Sequence, residues 1–164
     1  MQRIRKLESR TTMTTYSRVS VDEYFLHIAR IVSERSTCRR RRVGCVLVDT
    51  KKHIVATGYN GVPSGFTHCL DVPCEGADSP SGTDLNKCLA VHAEVNAFLQ
   101  LTSEDTLTAY LSTTPCFECA KMLCNSNVKR IVALEWYPHQ VVKDMLKTAD
   151  IELEVRAIYG TQRN

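Results

Sequence analysis

Val43-Gly44-Cys45-Val46-Leu47-Val48 and Ile54-Val55-Ala56-Thr57, with Asp49 and the polar run Thr50-Lys51-Lys52-His53 between them, decide the fold. Each apolar run is short, dense and rich in β-branched residues. Each therefore reads as a buried strand, and the polar tetrapeptide reads as the turn of a hairpin. Upstream, Tyr24, Phe25, Ile28, Ile31 and Val32 recur at helical spacing. They predict a helix over 21–34, with Asp22 and Glu23 suited to its N-terminal dipole. Downstream the pattern alternates: helix 89–101, strand 107–113, helix 116–125 opened by Pro115, strand 130–134, helix 138–149 and strand 151–155. Strands separated by helices imply parallel crossovers, whereas the first two strands form an antiparallel pair. The expected architecture is α/β, a three-layer α/β/α sandwich with a five-stranded mixed sheet. Residues 58–65 (GYNGVPSG) read as a glycine-rich loop, and 66–87 as the longest irregular stretch, which calls for a function or a staple.

A chain of 164 residues fits one domain. The expected division is a flexible, basic extension over 1–19 and a single domain over 20–160. No signal peptide and no apolar run of membrane-spanning length is visible, so the protein is expected to be cytoplasmic with no membrane partner. The formal charge of +3 is too modest to suggest a nucleic-acid partner. Its one dense basic run, Arg39-Arg40-Arg41-Arg42, reads either as a solvated loop or as a phosphate-binding element.

Two short clusters carry the chemistry: His92-Ala93-Glu94 and Pro115-Cys116-Phe117-Glu118-Cys119. Cys116 and Cys119 lie three apart on one helical turn, so their sulfurs face the same way. His92 supplies a third ligand from a second helix start, leaving the fourth position of a tetrahedral zinc open, as catalytic zinc requires. Glu94 is then free to move protons as general acid and base. His-x-Glu with Pro-Cys-x-x-Cys is the known signature of zinc deaminases acting on nucleobases.

On these motifs, together with Ser36-Thr37-Cys38 before Val43-Gly44-Cys45-Val46 and the loop Gly58-Tyr59-Asn60-Gly61-Val62-Pro63-Ser64-Gly65, the chain resembles the deoxycytidylate (dCMP) deaminases of the cytidine and deoxycytidylate deaminase superfamily over about 24–157. The resemblance implies a cytidine deaminase-like fold and hydrolysis of dCMP to dUMP and ammonia, which feeds dTTP synthesis. It implies that Asn60 bonds the sugar hydroxyl, that Tyr137 is an aromatic substrate contact, and that the small Ala93 lets the pyrimidine approach. Arg42, or a neighbour in the run 39–42, is the expected partner of the 5′-phosphate. The resemblance also implies a homo-oligomer, a hexamer, activated by dCTP and inhibited by dTTP as Mg²⁺ complexes. Gly61, Gly65 and Asn96 are the candidate effector contacts.

Four further cysteines, Cys38, Cys69, Cys74 and Cys88, surround the long loop. Four thiolates would close a structural zinc site and staple that segment, with His68 as a rival to Cys69. The alternative is four free cysteines packed as small hydrophobes. Cys45 and Cys124 read as core residues. Competing functions are another zinc nucleobase deaminase, acting on tRNA adenosine or on CMP, and a catalytically silent, zinc-stapled nucleotide-binding module. Glu94 argues against the second, because a structural site has no use for a free carboxylate beside three ligands.

Overall fold

The computed structural model describes residues 18–80, 82–137 and 139–158. Of the expected extension over 1–19, only Arg18 and Val19 fall within these residues; Pro138 and the last two residues of the expected domain, 159 and 160, lie outside them. Helix α1 (Val21–Ser33) begins where Ser20 Oγ accepts the Glu23 amide at 3.2 Å. Then follow β1 (Gly44–Val48), β2 (Ile54–Tyr59), α2 (Ala93–Phe98), β3 (Leu107–Leu111), α3 (Phe117–Cys124), β4 (Val128–Ala133), α4 (Gln140–Thr148) and β5 (Glu152–Val155). The five-stranded sheet has the order β2-β1-β3-β4-β5. β1 pairs antiparallel with both β2 and β3, whereas β3–β4 and β4–β5 are parallel. The sheet is therefore mixed, as expected.

Side-chain alternation along the strands separates two apolar layers. Cys45, Leu47, Leu107, Ala109, Leu111, Ile131 and Ala133 face α2, α3 and α4, packing on Ala93, Ala97, Ala120, Leu123, Val142 and Leu146. Val46, Val48, Tyr110 and Val132 face the other way and cover Phe25, Leu26 and Ala29 of α1. One helix on one face and three on the other make the three-layer sandwich. Among the described residues no helix is long and apolar enough to cross a membrane.

The hairpin, the element order and the crossovers match the sequence reading; several boundaries shift by one to four residues, and two of these shifts bear on the site. β2 runs through Gly58 and Tyr59, two residues of the expected loop. α2 starts at Ala93, whereas the apolar run predicted a start at 89. Residues 89–91 stay out of the helix because Val91 bridges Gly61: the Gly61 amide donates to Val91 O at 3.1 Å, and the Val91 amide to Gly61 O at 2.8 Å. Two long-range backbone bonds outweigh a weak local helix preference there.

An ionic cluster ties α1 to the far edge of the sheet. Arg130 donates from Nη1 and Nη2 to the two oxygens of Asp22 at 2.7 and 3.0 Å. Arg156 lies 3.1 Å from Asp22, and the fully buried Tyr110 donates its hydroxyl to Asp22 at 2.8 Å. These bonds, Arg130 foremost, hold the Asp22 carboxyl at about 2. A depressed carboxyl stabilises the fold above its unfolded value of 3.8, and the stabilisation is lost as pH falls through about 2. Acid titration should therefore lose about 2 kcal/mol across this window. Asp22→Asn should lower neutral-pH stability by a similar amount and flatten the decline between pH 4 and 2, as read by urea unfolding at each pH.

Candidate active site

The apolar packing of β2 against α2 and of β3 against the α3 layer brings two helix beginnings to one end of the sheet. His92 is the N-cap of α2 and Cys116 the N-cap of α3, both in extended backbone. One turn into α3 lies Cys119. The two sulfurs each lie 3.3 Å from His92 Nδ1. Among the described residues these three side chains form the only group of three or more potential metal ligands whose ligand atoms lie within 4.8 Å of one another. Tetrahedral zinc, with Zn–S of about 2.3 Å and Zn–N of about 2.0 Å, separates such atoms by about 3.5 Å, so the residues fit the ion.

The electrostatics agree. Hydrogen bonding by Cys119, then by His92, pulls the Cys116 thiol down to about 4. Cys119 is pushed far up by its bond to Cys116 and by burial. The pair thus holds one thiolate easily and a second only when a cation is present to offset it. The hydrogen bond to Cys116 raises the His92 imidazole. Glu94, only 3% exposed, has its carboxyl raised chiefly by burial.

These four residues stand in the wall of a cavity of about 590 Å³ that Ala93, Asn60 and Tyr137 also line. Thr114 orients Tyr137, accepting its amide on Oγ1 at 2.8 Å. Asn60 has a second occupation: its Nδ2 donates to Arg41 O and its Oδ1 accepts from the Val43 amide, both at 2.8 Å. It clamps the strand leading into β1 while keeping one donor and one lone pair for a ligand.

Arg42 is exposed and absent from the cavity wall, which Arg40 and Arg41 line. Of residues 40–43, Arg42 alone does not line the cavity. The arginine run, with no apolar residue within it, carried no signal for which of its members turns inward. Thr113 and Thr114 were likewise missed, being small polar residues with no motif.

Gly61, Gly65 and Asn96 line a second cavity, of about 380 Å³, together with Thr37, Tyr59 and His68. Of the four outlying cysteines the structure brings Cys69 and Cys74 together, sulfur to sulfur at 3.7 Å. Neither Cys38 nor Cys88 joins them as a third ligand within 4.8 Å. His68 faces the second cavity, which leaves Cys69 as the partner of Cys74.

A three-ligand zinc site beside a buried glutamate, on an α/β/α sandwich, defines the class of zinc-binding deaminase domains. Known proteins agree. The family described as the cytidine and deoxycytidylate deaminase zinc-binding region matches residues 19–135. The deoxycytidylate deaminase of Schizosaccharomyces pombe is 40% identical over 120 residues, which is 70% of this chain and 37% of that protein. That of Mycobacterium phage D29 is 40% identical over 125 residues, 71% of this chain and 95% of the phage protein. The crystal structure of dCMP deaminase from cyanophage S-TIM5 with dCMP and dUMP superposes with a TM-score of 0.70 and 28% identity, covering 86% of this chain and all of that one. The chain belongs to the cytidine and deoxycytidylate deaminase family. It spans well under half the length of the fission-yeast relative.

The site depends on how closely β2 approaches α2. A Cβ on Gly58 would overlap the backbone carbonyl of Ala93 and the amide of Ala97. Gly58→Ala should therefore cost about 1–3 kcal/mol in thermal denaturation. Because the displaced helix carries His92, bound zinc per chain, read by plasma mass spectrometry, should fall as well.

Proposed function

We propose that this protein is a zinc-dependent hydrolase that converts dCMP to dUMP and ammonia, supplying dUMP for dTTP synthesis. The observation that carries this reading is Glu94: a buried carboxylate beside a His-Cys-Cys ligand set, opening on a cavity that an aromatic residue and an asparagine also line. His92, Cys116 and Cys119 would hold zinc, which supplies Lewis acidity that makes water nucleophilic near neutral pH. Glu94 takes a proton from the attacking water as oxygen adds to C4 of the pyrimidine. It delivers that proton to N3, takes the second from the new C4 hydroxyl, and passes it to the departing amine. The C4–N4 bond breaks, and ammonia leaves. Ala93, at the first position of α2, presents only a methyl group and lets the ring lie against the helix. Tyr137 and Asn60 orient the nucleoside. The dCMP-bound cyanophage relative supports the choice of nucleotide.

Three finer readings accompany it. Effector control by dCTP and dTTP with Mg²⁺ is supported by the convergence of Gly61, Gly65 and Asn96 on a separate cavity. A homo-hexamer rests on the family resemblance, with exposed Ile31 and Leu99 supplying apolar surface. A second, structural zinc is supported by the Cys69–Cys74 separation of 3.7 Å, since thiolates sharing a tetrahedral zinc lie about 3.8 Å apart. Cys38 and Cys88 would have to close on that pair.

Glu94→Gln should cut ammonia release from dCMP by about 10²- to 10⁴-fold while zinc content stays at the native level. Turnover at native speed with full zinc would refute the mechanism. Metal analysis of the native protein should find two zinc ions per chain, and Cys69→Ser with Cys74→Ser should leave one. A native count of one would remove the structural zinc.

A further inference from the structure

The long irregular stretch 66–87 calls for a function or a staple, and the hydrolytic step uses none of it. We propose that its turn at Gly82, anchored by Arg40, positions Tyr137 for the nucleotide; this deepens the deaminase reading above and rests on it.

The stretch folds back on itself before it meets the cavity. The Gly76 amide donates to Lys87 O at 3.1 Å, and a Cβ on Gly76 would lie 2.9 Å from the Cys88 amide nitrogen, so two legs of the loop pack backbone against backbone. Within the lobe that this closes, the Thr83 amide donates to Pro80 O at 3.1 Å and the Thr83 hydroxyl donates to the same oxygen at 2.8 Å. Ser79 Oγ braces the turn by donating to Asp84 Oδ2 at 3.1 Å. Gly82, the third residue of the turn, has φ of +86°, which glycine adopts at no steric cost. Gly82, Leu85 and Cys88 of this lobe line the catalytic cavity.

Arg40 fixes where that turn lies. Its Nη2 donates to the carbonyls of Pro80 at 2.5 Å and Thr83 at 2.9 Å, 40 and 43 residues away along the chain. One guanidinium nitrogen thus grips both ends of the turn from the segment before β1. Hydrogen bonds from a charged donor are stronger than neutral ones, so the grip is firm for so few atoms.

Tyr137 is what the turn meets. A Cβ on Gly82 would lie 2.7 Å from Tyr137 Oη and 3.9 Å from its Cζ. The phenol oxygen therefore rests against the bare α-carbon, where no side chain fits. Other elements hold the rest of Tyr137. Thr114 Oγ1 accepts its amide at 2.8 Å, the Arg41 guanidinium lies 5.3 Å from the ring centroid, and the His139 ring lies 5.2 Å away. Those contacts fix the backbone and flank the ring, and Gly82 supplies the stop at its far end. An aromatic residue stopped there loses less freedom when a nucleotide arrives. A turn tied by Arg40 serves as that stop; a slack loop could not.

The test separates this contact from the strain of the turn. The native protein, Gly82→Ala, Tyr137→Phe and the double variant would be compared in KM and kcat for dCMP and in the fluorescence emission of Trp136, the one tryptophan of the chain and the neighbour of Tyr137. Gly82→Ala should raise KM about 10-fold, hold kcat within about 2-fold and shift the Trp136 emission maximum. Phenylalanine removes the oxygen that the new methyl group would strike. In the Tyr137→Phe background Gly82→Ala should therefore raise KM by less than about 3-fold and leave the emission in place. Strain at a positive φ acts alike in both backgrounds, so an equal rise in KM in the two would overturn the contact. Arg40→Ala should raise KM for dCMP and for deoxycytidine by the same factor, about 3- to 10-fold, and Arg40→Lys should recover part of it, because an ammonium still donates to a carbonyl. A loss confined to dCMP would overturn the anchoring role. If the native protein released no ammonia from dCMP, the deaminase reading would fail, and the Trp136 emission of the four proteins would still decide whether Gly82 holds Tyr137. Should Gly82→Ala not fold, Arg40→Ala and Arg40→Lys carry the comparison, with the Trp136 shift and its recovery as their readout.

Discussion

The sulfurs of Cys116 and Cys119 lie 3.3 Å from His92 Nδ1 although 24 and 27 residues separate them along the chain. Strand register enforces this meeting. Cys45 of β1 stands opposite Gly58 of β2 on one side and Leu111 of β3 on the other. The C-terminal ends of β2 and β3 are thereby brought to the same end of the sheet. α2 lies on β2 through the side-chain-free surface of Gly58, and α3 follows β3 after a short connection. Both helices therefore begin at one place. Neither the imidazole nor the thiols choose the site; the antiparallel pairing of β1 with two neighbours does.

Polar groups gather there: Asn60, Glu94, Thr113 and Thr114 are all buried and line the one cavity. Each face of the sheet is filled by aliphatic and aromatic side chains, and the half-buried charge at Asp22 is satisfied by two arginines and a tyrosine. Glu94 is buried, and there burial outweighs the attraction of His92. Its carboxyl is raised, whereas that of Asp22 is lowered. Two acids in one small domain thus follow opposite logic: the half-buried Asp22 is offset by arginines and fastens a helix, and the buried Glu94 stands in the cavity wall with its carboxyl raised.

Much of this was legible in the chain. Dense β-branched runs announced β1 and β2, and the alternation of strand and helix announced the crossovers. The ligands and the glutamate were legible because metal chemistry tolerates few residue types and few spacings. Other features depended on partners remote in sequence. The start of α2 is set by the bridge from Val91 to Gly61, which no local window contains. Which members of the arginine run turn inward is set by a remote partner as well, Asn60, which grips the backbone at Arg41 and Val43. The cysteines of the long loop could be counted but not placed, since an irregular segment has no period from which to predict direction; only Cys69 and Cys74 stand together.

The bridge between Gly61 and Val91 has a further consequence. Gly61 belongs to the wall of the smaller cavity and Val91 to that of the larger one, and reciprocal backbone hydrogen bonds of 3.1 and 2.8 Å join them. The two chambers are thereby joined through the main chain: a shift of the Gly61 backbone carries Val91 with it, and with Val91 the wall of the other room.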